Sequence, residues 1–422
     1  VVGSHFPALT SPELDCVVEF AAGNARVALA LADTAESGES LANLKDETLF
    51  KRLFRQRKPD APDLLQAAEA CSLVYSFDVE QLSGDGAELP VLAELARMPA
   101  LDLYAQVAEL ENRHLAQRRG NWRAVLPHAI SHRLVKHALQ RMPLAHVTDV
   151  LLRKGTPERL IKSFSKRLGD LHEVEAVRAL VRSWLSDGGW LDPVENLNDL
   201  GRTCFGNIAA VDLDATLTAL EQAAERGKLV QNQYSIAPLR PAELLRSIAY
   251  EPQFFTRAAL LLSNMAREKT ESNNTGDAVN VFRSLFFIVL SGTHASVEQR
   301  IDVLRTLAAL GNDHDAALLY SALQAMLETG HFSSSYSHQF GSRRRDFGFH
   351  PQTQDEMEHW YGSVLDFCVE LESQSDFHSA RVRDLLASKI PHFSSHIKDA
   401  KKLFSTIEKI RARKPWPELW AA

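Results

Sequence analysis

The chain has 422 residues, of which 45% are apolar and 24% charged, with a net charge of −7 at neutral pH. That length exceeds one ordinary domain and predicts two or three, with the composition of a folded, water-soluble chain. The acidic balance excludes a body-wide nucleic-acid binder, because neutralising phosphates needs clustered positive charge; only a local basic patch fits.

In chain order, helical spacing of apolar residues begins almost at once. Residues 12–34 read as a helix with a break: Leu14, Val17, Val18 and Phe20 form a face, Gly23-Asn24 interrupts, and Arg26 to Leu31 continue. Asn24 suits the start of the second piece, since its side-chain oxygen accepts an orphan amide. A helix over 46–55 follows, then the basic, proline-marked link Arg57 to Pro62. Helices are expected over 63–77, 89–97 and 101–111, with a loop at Ser83-Gly84-Asp85-Gly86. A β-ribbon comes next. Arg118-Arg119-Gly120-Asn121 is read as its turn, and Trp122, Ala124 and Leu126 as one face of a strand. Pro127 then opens a helix to about residue 141, since a first-turn proline loses only an amide that has no intrahelical partner. Helices, a ribbon and a closing helix describe a winged-helix module.

Everything beyond is helical in pattern: 143–153, 156–168, 171–186, 197–209, 212–226, 241–249, 252–269, 277–290, 296–309, 313–328, 354–373, 377–388 and 393–412. Thr156-Pro157, Asp212 and Ser296 sit where caps and first-turn residues belong. No strand pattern appears after residue 140, and no strict tetratricopeptide or ankyrin period. Degenerate helical hairpins in a solenoid-like array are expected. The fold class is therefore mainly all-α. Residues 1–60 form a small helical domain, 61–142 the winged helix, and 143–422 the array, with a subdivision near 187–196 or 240.

No window reaches the ~18–20 apolar residues of a membrane span, and the longest apolar run, Leu285 to Leu290, suits a core helix. No signal peptide is visible. Val1-Val2-Gly3, without an initiator methionine, reads as a piece of a larger polypeptide. Cys16, Cys71, Cys204 and Cys368 are too far apart for a CxxC or finger site and read as buried thiols of a reducing cytosol.

The chemical motifs are mostly negative. The chain carries no phosphate-cradling G-x-x-x-x-G-K-[ST], no H-E-x-x-H, no G-x-S-x-G and no kinase set. His128 and His132 share a helix face, with His137 further on, but no acid or cysteine nearby completes a metal set. No metal is expected, and the chain by itself is not expected to be an enzyme.

Two short stretches resemble a family. Gly23-Asn24-Ala25-Arg26 resembles the start of the lid helix in STAND-class signalling NTPases, the AAA-related switches that include apoptosome, plant immune-receptor and bacterial anti-phage ATPases. Pro127-His128-Ala129-Ile130 resembles the M-H-D-L element that closes their winged helix. The order lid, winged helix, helical sensor array also fits. Ala25 stands where the family has proline, and Ala129 where it has an acid. The resemblance covers the first third of the chain. It implies that the lid turn packs on adenine and that His128 contacts the β-phosphate of ADP, the cofactor (ATP or ADP) sitting on an upstream core that this chain lacks. An imidazole donor at a helix start adds to the amides and dipole that favour phosphate there. The implied role is the regulatory and sensor portion of an ATP-dependent switch in prokaryotic defence or stress response, with oligomerisation on activation. The alternative is a helical-repeat scaffold whose winged helix binds DNA, with Arg118, Arg119, Asn121, Trp122 and Arg123 as a wing on the phosphates.

A second feature lies in the array. Gly341-Ser342-Arg343-Arg344-Arg345-Asp346-Phe347-Gly348-Phe349 is a long loop dense in arginine and aromatics, following the polar stretch Gly330 to His338. Loops of such length are functional or disordered. Arg343, Arg344 and Arg345 suit a phosphate or carboxylate partner, and Phe347 and Phe349 suit a base or a protein. Alternatively the arginines pair with nearby acids and the aromatics pin the loop to the helices. The runs Leu244 to Pro252 and Leu290 to Ala295 read as packed helix ends. The chain closes on a basic amphipathic helix, Lys398 to Lys414, and two tryptophans, Trp416 and Trp420, that dock on the body or on absent chain.

Overall fold

The computed structural model describes residues 2–21, 25–32, 48–49, 53–54, 62–125, 128–227, 240–267, 275–330, 332, 339–393 and 400–416. It is mainly all-α: among the described residues there are twenty α-helices and one three-stranded sheet. None of these helices is long and apolar enough to cross a membrane. The chain divides into two compact units, residues 1–181 with 203–211, and residues 182–202 with 212–422. The boundary expected at 60 lies outside the described residues, and residues 143–181, expected to begin the array, belong to the same unit as the winged helix.

In the first unit, α1 (Val2–His5), α2 (Ser11–Ala21) and α3 (Ala25–Ala32) precede the winged helix. The latter consists of α4 (Pro62–Ser72), β1 (Phe77–Asp78), α5 (Leu89–Leu95), α6 (Ala100–Asn112), β2 (Ala116–Arg119), β3 (Trp122–Val125) and α7 (His128–Arg141). The sheet order is β1-β3-β2, antiparallel throughout, with Phe77 opposite Arg123 and Arg118 opposite Arg123 on the other side. This is winged-helix connectivity. β1 was not expected; the helix read to residue 77 ends at Ser72.

The ribbon departs from expectation in two ways. Its turn is the two residues Gly120-Asn121, with Gly120 at φ 58°, the positive value that a primed hairpin turn needs at its first position. Arg118 and Arg119 therefore lie in β2. The inward face of β3 is also the opposite one: Trp122 is 42% exposed, whereas Arg123 and Val125 are buried. Polar pairing outweighs hydrophobicity here. The Arg123 guanidinium reaches the Glu111 carboxylate and donates to the Gly120 carbonyl at 2.8 Å, which satisfies the buried charge. Trp122 is roofed by the Arg159 guanidinium, 4.3 Å from its ring centre.

After α7 come α8 (Leu144–Leu151) and α9 (Glu158–Gly169). Thr156 does not cap α9; its hydroxyl donates to the Val150 carbonyl at 3.3 Å. α9 is stitched to the strand turn instead, through Tyr75 N to Ser163 O at 3.1 Å and Ser163 Oγ to Ser76 O at 2.6 Å. The buried Glu88 completes this seam. It accepts both Arg159 Nε and Nη2 and the Asp78 amide, a bidentate pairing whose remaining lone pair is also used. Gly169 meets the Asn207 carbonyl so closely that a Cβ would lie 2.1 Å from it.

The helices α10 (Glu175–Leu185) and α11 (Asp199–Ile208) lead on to α12 (Leu213–Glu225). The second unit continues with α13 (Pro241–Ile248), α14 (Pro252–Arg267), α15 (Thr275–Ser284), α16 (Val297–Leu310), α17 (Asp313–Met326), α18 (Gln354–Glu372), α19 (Asp376–Phe393) and α20 (Ala400–Arg413). From α12 to α18, helices pack on the next-but-one neighbour and, except for α15 and α16, on the next, as stacked hairpins do, and α18 also packs on α20. Caps set the starts. Asp212 accepts the Ala215 amide, and Ser296 and Thr353 form capping boxes with Gln299 and Glu356.

One helix fails to run as far as its pattern. α15 stops at Ser284, so Leu285 to Leu290 is not a core helix. The apolar side chains still enter the core, with Leu285, Phe286 and Ile288 buried. What replaces the helix is Arg300. Its fully buried guanidinium donates to Leu285 O at 2.6 Å, Phe287 O at 2.8 Å and Ala295 O at 3.2 Å, and stacks 4.9 Å from the Trp360 ring centre. Burial pulls this group down to about 9, and no carboxylate among the described residues pairs with it.

Candidate functional site

The residues that carry the family resemblance fall mostly beyond what can be placed. Gly23 and Asn24 lie outside the described residues, as do the side chains of Arg26 and His128. α3 does begin at Ala25, which is exposed, and α7 begins at His128. Around α7 the described contacts are specific. Ser131 Oγ donates to Val125 O at 2.5 Å, fixing the hairpin to the helix. Arg133 lies 4.9 Å from the centre of the Phe20 ring, so α2 packs on α7. His132 Nε2 sits 3.2 Å from an Asp170 carboxylate oxygen, and His137 Nδ1 lies 2.5 Å from Glu69. His132 and His137 thus have separate surroundings, and no group of three or more metal-ligating side chains occurs among the described residues.

In a helix-turn-helix the second helix enters the major groove. That helix is α6, Ala100–Asn112, and it contains no lysine or arginine. Its outer face shows Leu101, 67% exposed, and Tyr104, 45% exposed, with acids at Asp102 and Glu109. On the hairpin the exposed positive charge is Arg118 and Arg119; elsewhere in the winged helix Arg97, Lys136 and Arg141 are exposed, none of them on α6.

The arginine-rich loop in the second unit is ordered by a clamp. Gly292 N donates to Phe347 O at 3.0 Å and Phe349 N donates to Thr293 O at 2.8 Å. Between them Gly348 lies so close that a Cβ would meet the Thr293 N and O atoms at 2.5 and 2.6 Å. Asp346 Oδ1 accepts from Gly348 N, from the Tyr250 hydroxyl at 3.1 Å and from His294 Nε2, 2.8 Å away. Burial alone would raise the Asp346 carboxyl, but these donors outweigh it and hold it below its usual range. Arg345 is sandwiched between the rings of Tyr250 and Phe340, 4.6 Å from each centre, and burial draws its guanidinium down to about 10. Phe349 stacks on Trp360 at 5.8 Å. The loop therefore divides its residues. Arg345 and Phe349 face the helices, Arg343 is half-buried, and Arg344 and Phe347 face solvent, Phe347 at 54%. The runs 244–252 and 290–295 do meet, through Thr293 Oγ1 to Ala249 O at 2.5 Å and His294 N to Tyr250 O at 3.1 Å.

The clamp residues Tyr250, His294 and Asp346 were missed by the sequence reading. Asp346-Phe347-Gly348 carried a signal, because an aspartate two residues before a glycine marks an Asx turn; nothing in the pattern pointed to Tyr250 or His294. The clamp gives a direct test. Gly348→Ala adds a side chain at φ 84° and into the Thr293 backbone, so it is expected to lower stability by about 2 kcal/mol or more, read as a fall in Tm, while a substitution at the nearby, exposed Arg344 leaves Tm nearly unchanged.

Comparison of the chain with protein-family models, with curated proteins and with solved structures gives no match.

Proposed function

We propose that this chain is the regulatory and sensor portion of a STAND-like, ATP-dependent signalling switch acting in the cytoplasm of a prokaryote in defence or stress response. The observation that carries this reading is the winged helix itself. Its groove-entering helix α6 offers leucine, tyrosine and acids where DNA would need cations, while its last helix starts at His128 with α2 packed on its flank. In this reading His128 and the exposed amides at the start of α7 hold the β-phosphate of ADP bound to an upstream nucleotide core. Gly23, Asn24, Ala25 and Arg26 lie against the adenine. The chain itself performs no hydrolysis. The array senses a ligand, for which the clamped loop with Arg343, Arg344, Arg345, Phe347 and Phe349 is the partner-facing element, Phe347 and Arg344 being its contact points. A ligand shifts such a switch only through differential contacts with its two states.

The test is nucleotide retention by the polypeptide that carries this chain, purified without denaturation. ADP is expected to co-purify, and His128→Ala is expected to reduce its retention at least tenfold and to make signalling ligand-independent. Unchanged retention and signalling would remove the assignment. The competing reading, a transcriptional regulator, draws on exposed Arg118 and Arg119; a salt-dependent shift of duplex DNA by this chain would favour it.

A further inference from the structure

The winged helix bears a cleft that the switch reading does not use. It lies between the outer face of α6 and the β2–β3 hairpin, has a volume of about 210 Å³, and is lined by Val79, Tyr104, Glu111, Asn112, Arg118 and Arg123 among others. Its charge is unbalanced by construction. Arg118 and Arg123 are directly opposite each other across the β2–β3 ladder, a placement that repels unless a counter-charge is present. Glu111 supplies one carboxylate, and it is taken by the buried Arg123. Arg118 is exposed, and among the described residues its side chain makes no ion pair or hydrogen bond. Two guanidinium charges therefore face one carboxylate and the roughly half negative charge of the C-terminal end of α6. One further carboxylate would complete the set, and arginine accepts it bidentately.

Next to this cationic end the surface becomes apolar. Tyr104 lies both in the cleft and on the exposed face, and Leu101 is one turn away at the other end of α6, 67% exposed. Ala105 and Ala108 between them are exposed and small, leaving the face open to another backbone. A large exposed apolar side chain on a fixed helix, next to an uncompensated arginine, is the composition of a binding centre. Nucleic acid does not fit, because Asp102 and Glu109 share this helix and no lysine or arginine does.

We propose that the α6–hairpin cleft docks a peptide segment of a partner protein that carries an aspartate or glutamate beside large apolar side chains. The carboxylate sits between Arg118 and Arg123, and the apolar residues cover Tyr104 and Leu101. The inference is independent of the nucleotide switch, since it uses neither His128 nor the lid residues.

The experiment is selection of a displayed library of random 12-residue peptides on the purified chain, followed by anisotropy titration of the enriched peptides carrying a fluorescent label. Enriched sequences are expected to place Asp or Glu within a few residues of Leu, Ile, Phe or Trp. Arg118→Glu removes the free guanidinium and puts a carboxylate in its place, which repels the acid of the peptide, and should weaken binding at least tenfold. Tyr104→Ala and Leu101→Ala should each weaken it several-fold, and Arg344→Glu in the other unit should leave it unchanged. Arg118→Ala is the second variant should the glutamate disturb the hairpin, and the Tm of each variant checks the fold. Failure to enrich any sequence, enrichment of basic or purely apolar sequences, or binding indifferent to both Arg118 variants would overturn the proposal. Capture of a short DNA duplex lost on Arg118→Glu would overturn it in favour of a nucleic-acid wing. Loss of ADP retention in His128→Ala would leave peptide binding intact, so the two readings fail separately.

Discussion

Arg300→Met is expected to destabilise the second unit by at least about 3 kcal/mol. The guanidinium is the common donor to the carbonyls of Leu285, Phe287 and Ala295 and to the Ser291 hydroxyl. Each buried acceptor stripped of its donor costs about 1–3 kcal/mol, and methionine restores none of them. Lysine is not a conservative replacement, since a point ammonium with three donors cannot span acceptors arranged around a planar fork. The effect should also be directional. The segment that Arg300 ties down contains Gly292, Thr293 and His294, the same residues that clamp the loop at 346–349. Chemical denaturation should show the loss of stability. Amide hydrogen exchange should show early loss of protection at Phe349, whose N–H depends on the Thr293 carbonyl. Equal protection at Phe349 in the variant would mean that the loop holds itself.

Arg383→Met is expected to release the C-terminal helix, at a cost of about 3–5 kcal/mol. Arg383 is 5% exposed and binds Glu372 through Nε at 3.0 Å and Nη2 at 2.8 Å. Its other hydrogens go to Ile410 O at 3.1 Å, Lys414 O at 3.1 Å and Pro415 O at 2.8 Å, the carbonyls that close α20. Removing the cation leaves the buried carboxylate with only Arg413 and Ser379 and unties the helix end together. Burial alone would raise the Glu372 carboxyl, but Arg383, Arg413 and Ser379 outweigh it and hold it below the usual range. A depressed folded value means that the stabilisation is complete above the unfolded carboxylate value of ~4.3 and drains away as pH falls through the lower folded value. Acid titration of Trp416, buried against the body at 2% exposure, should follow that course by fluorescence in the native chain. In Arg383→Met the tryptophan should already be solvent-exposed at neutral pH.

How much of this was legible in sequence depends on which force decided each element. Where hydrophobic period decided, the reading was close. Most helices after residue 140 fall within a few residues of their expected spans, because apolar spacing, Asp212 and Ser296 point to the same boundaries; α15 ends six residues early and α19 runs five residues further than expected. The hairpin and closing helix of the winged helix were readable for the same reason, since glycine at a tight turn leaves few alternatives. Where buried polar groups decided, the reading failed. Arg123 points inward in place of Trp122 because Glu111 awaits it, and the apolar run 285–290 leaves the helix because Arg300 supplies hydrogen bonds that a helix would otherwise provide. Neither partner is near in sequence, so no local pattern announces them. The loop at 340–350 was recognisable by composition, but only the Asp346 clamp distinguishes its inward arginine and phenylalanine from its outward ones. Trp416 was expected to dock and does; Trp420 lies outside the described residues.

The division of labour in that loop has a consequence for how this protein can change over evolutionary time. Residues 345, 346, 348 and 349 are tied to the frame by rings, backbone contacts and a glycine that admits no side chain. The side chains at positions 344 and 347 are the ones turned to solvent, while the Phe347 carbonyl still accepts from Gly292 N. Exchange of the two outward side chains therefore changes what the loop presents to solvent while the ties at 345, 346, 348 and 349 stay in place.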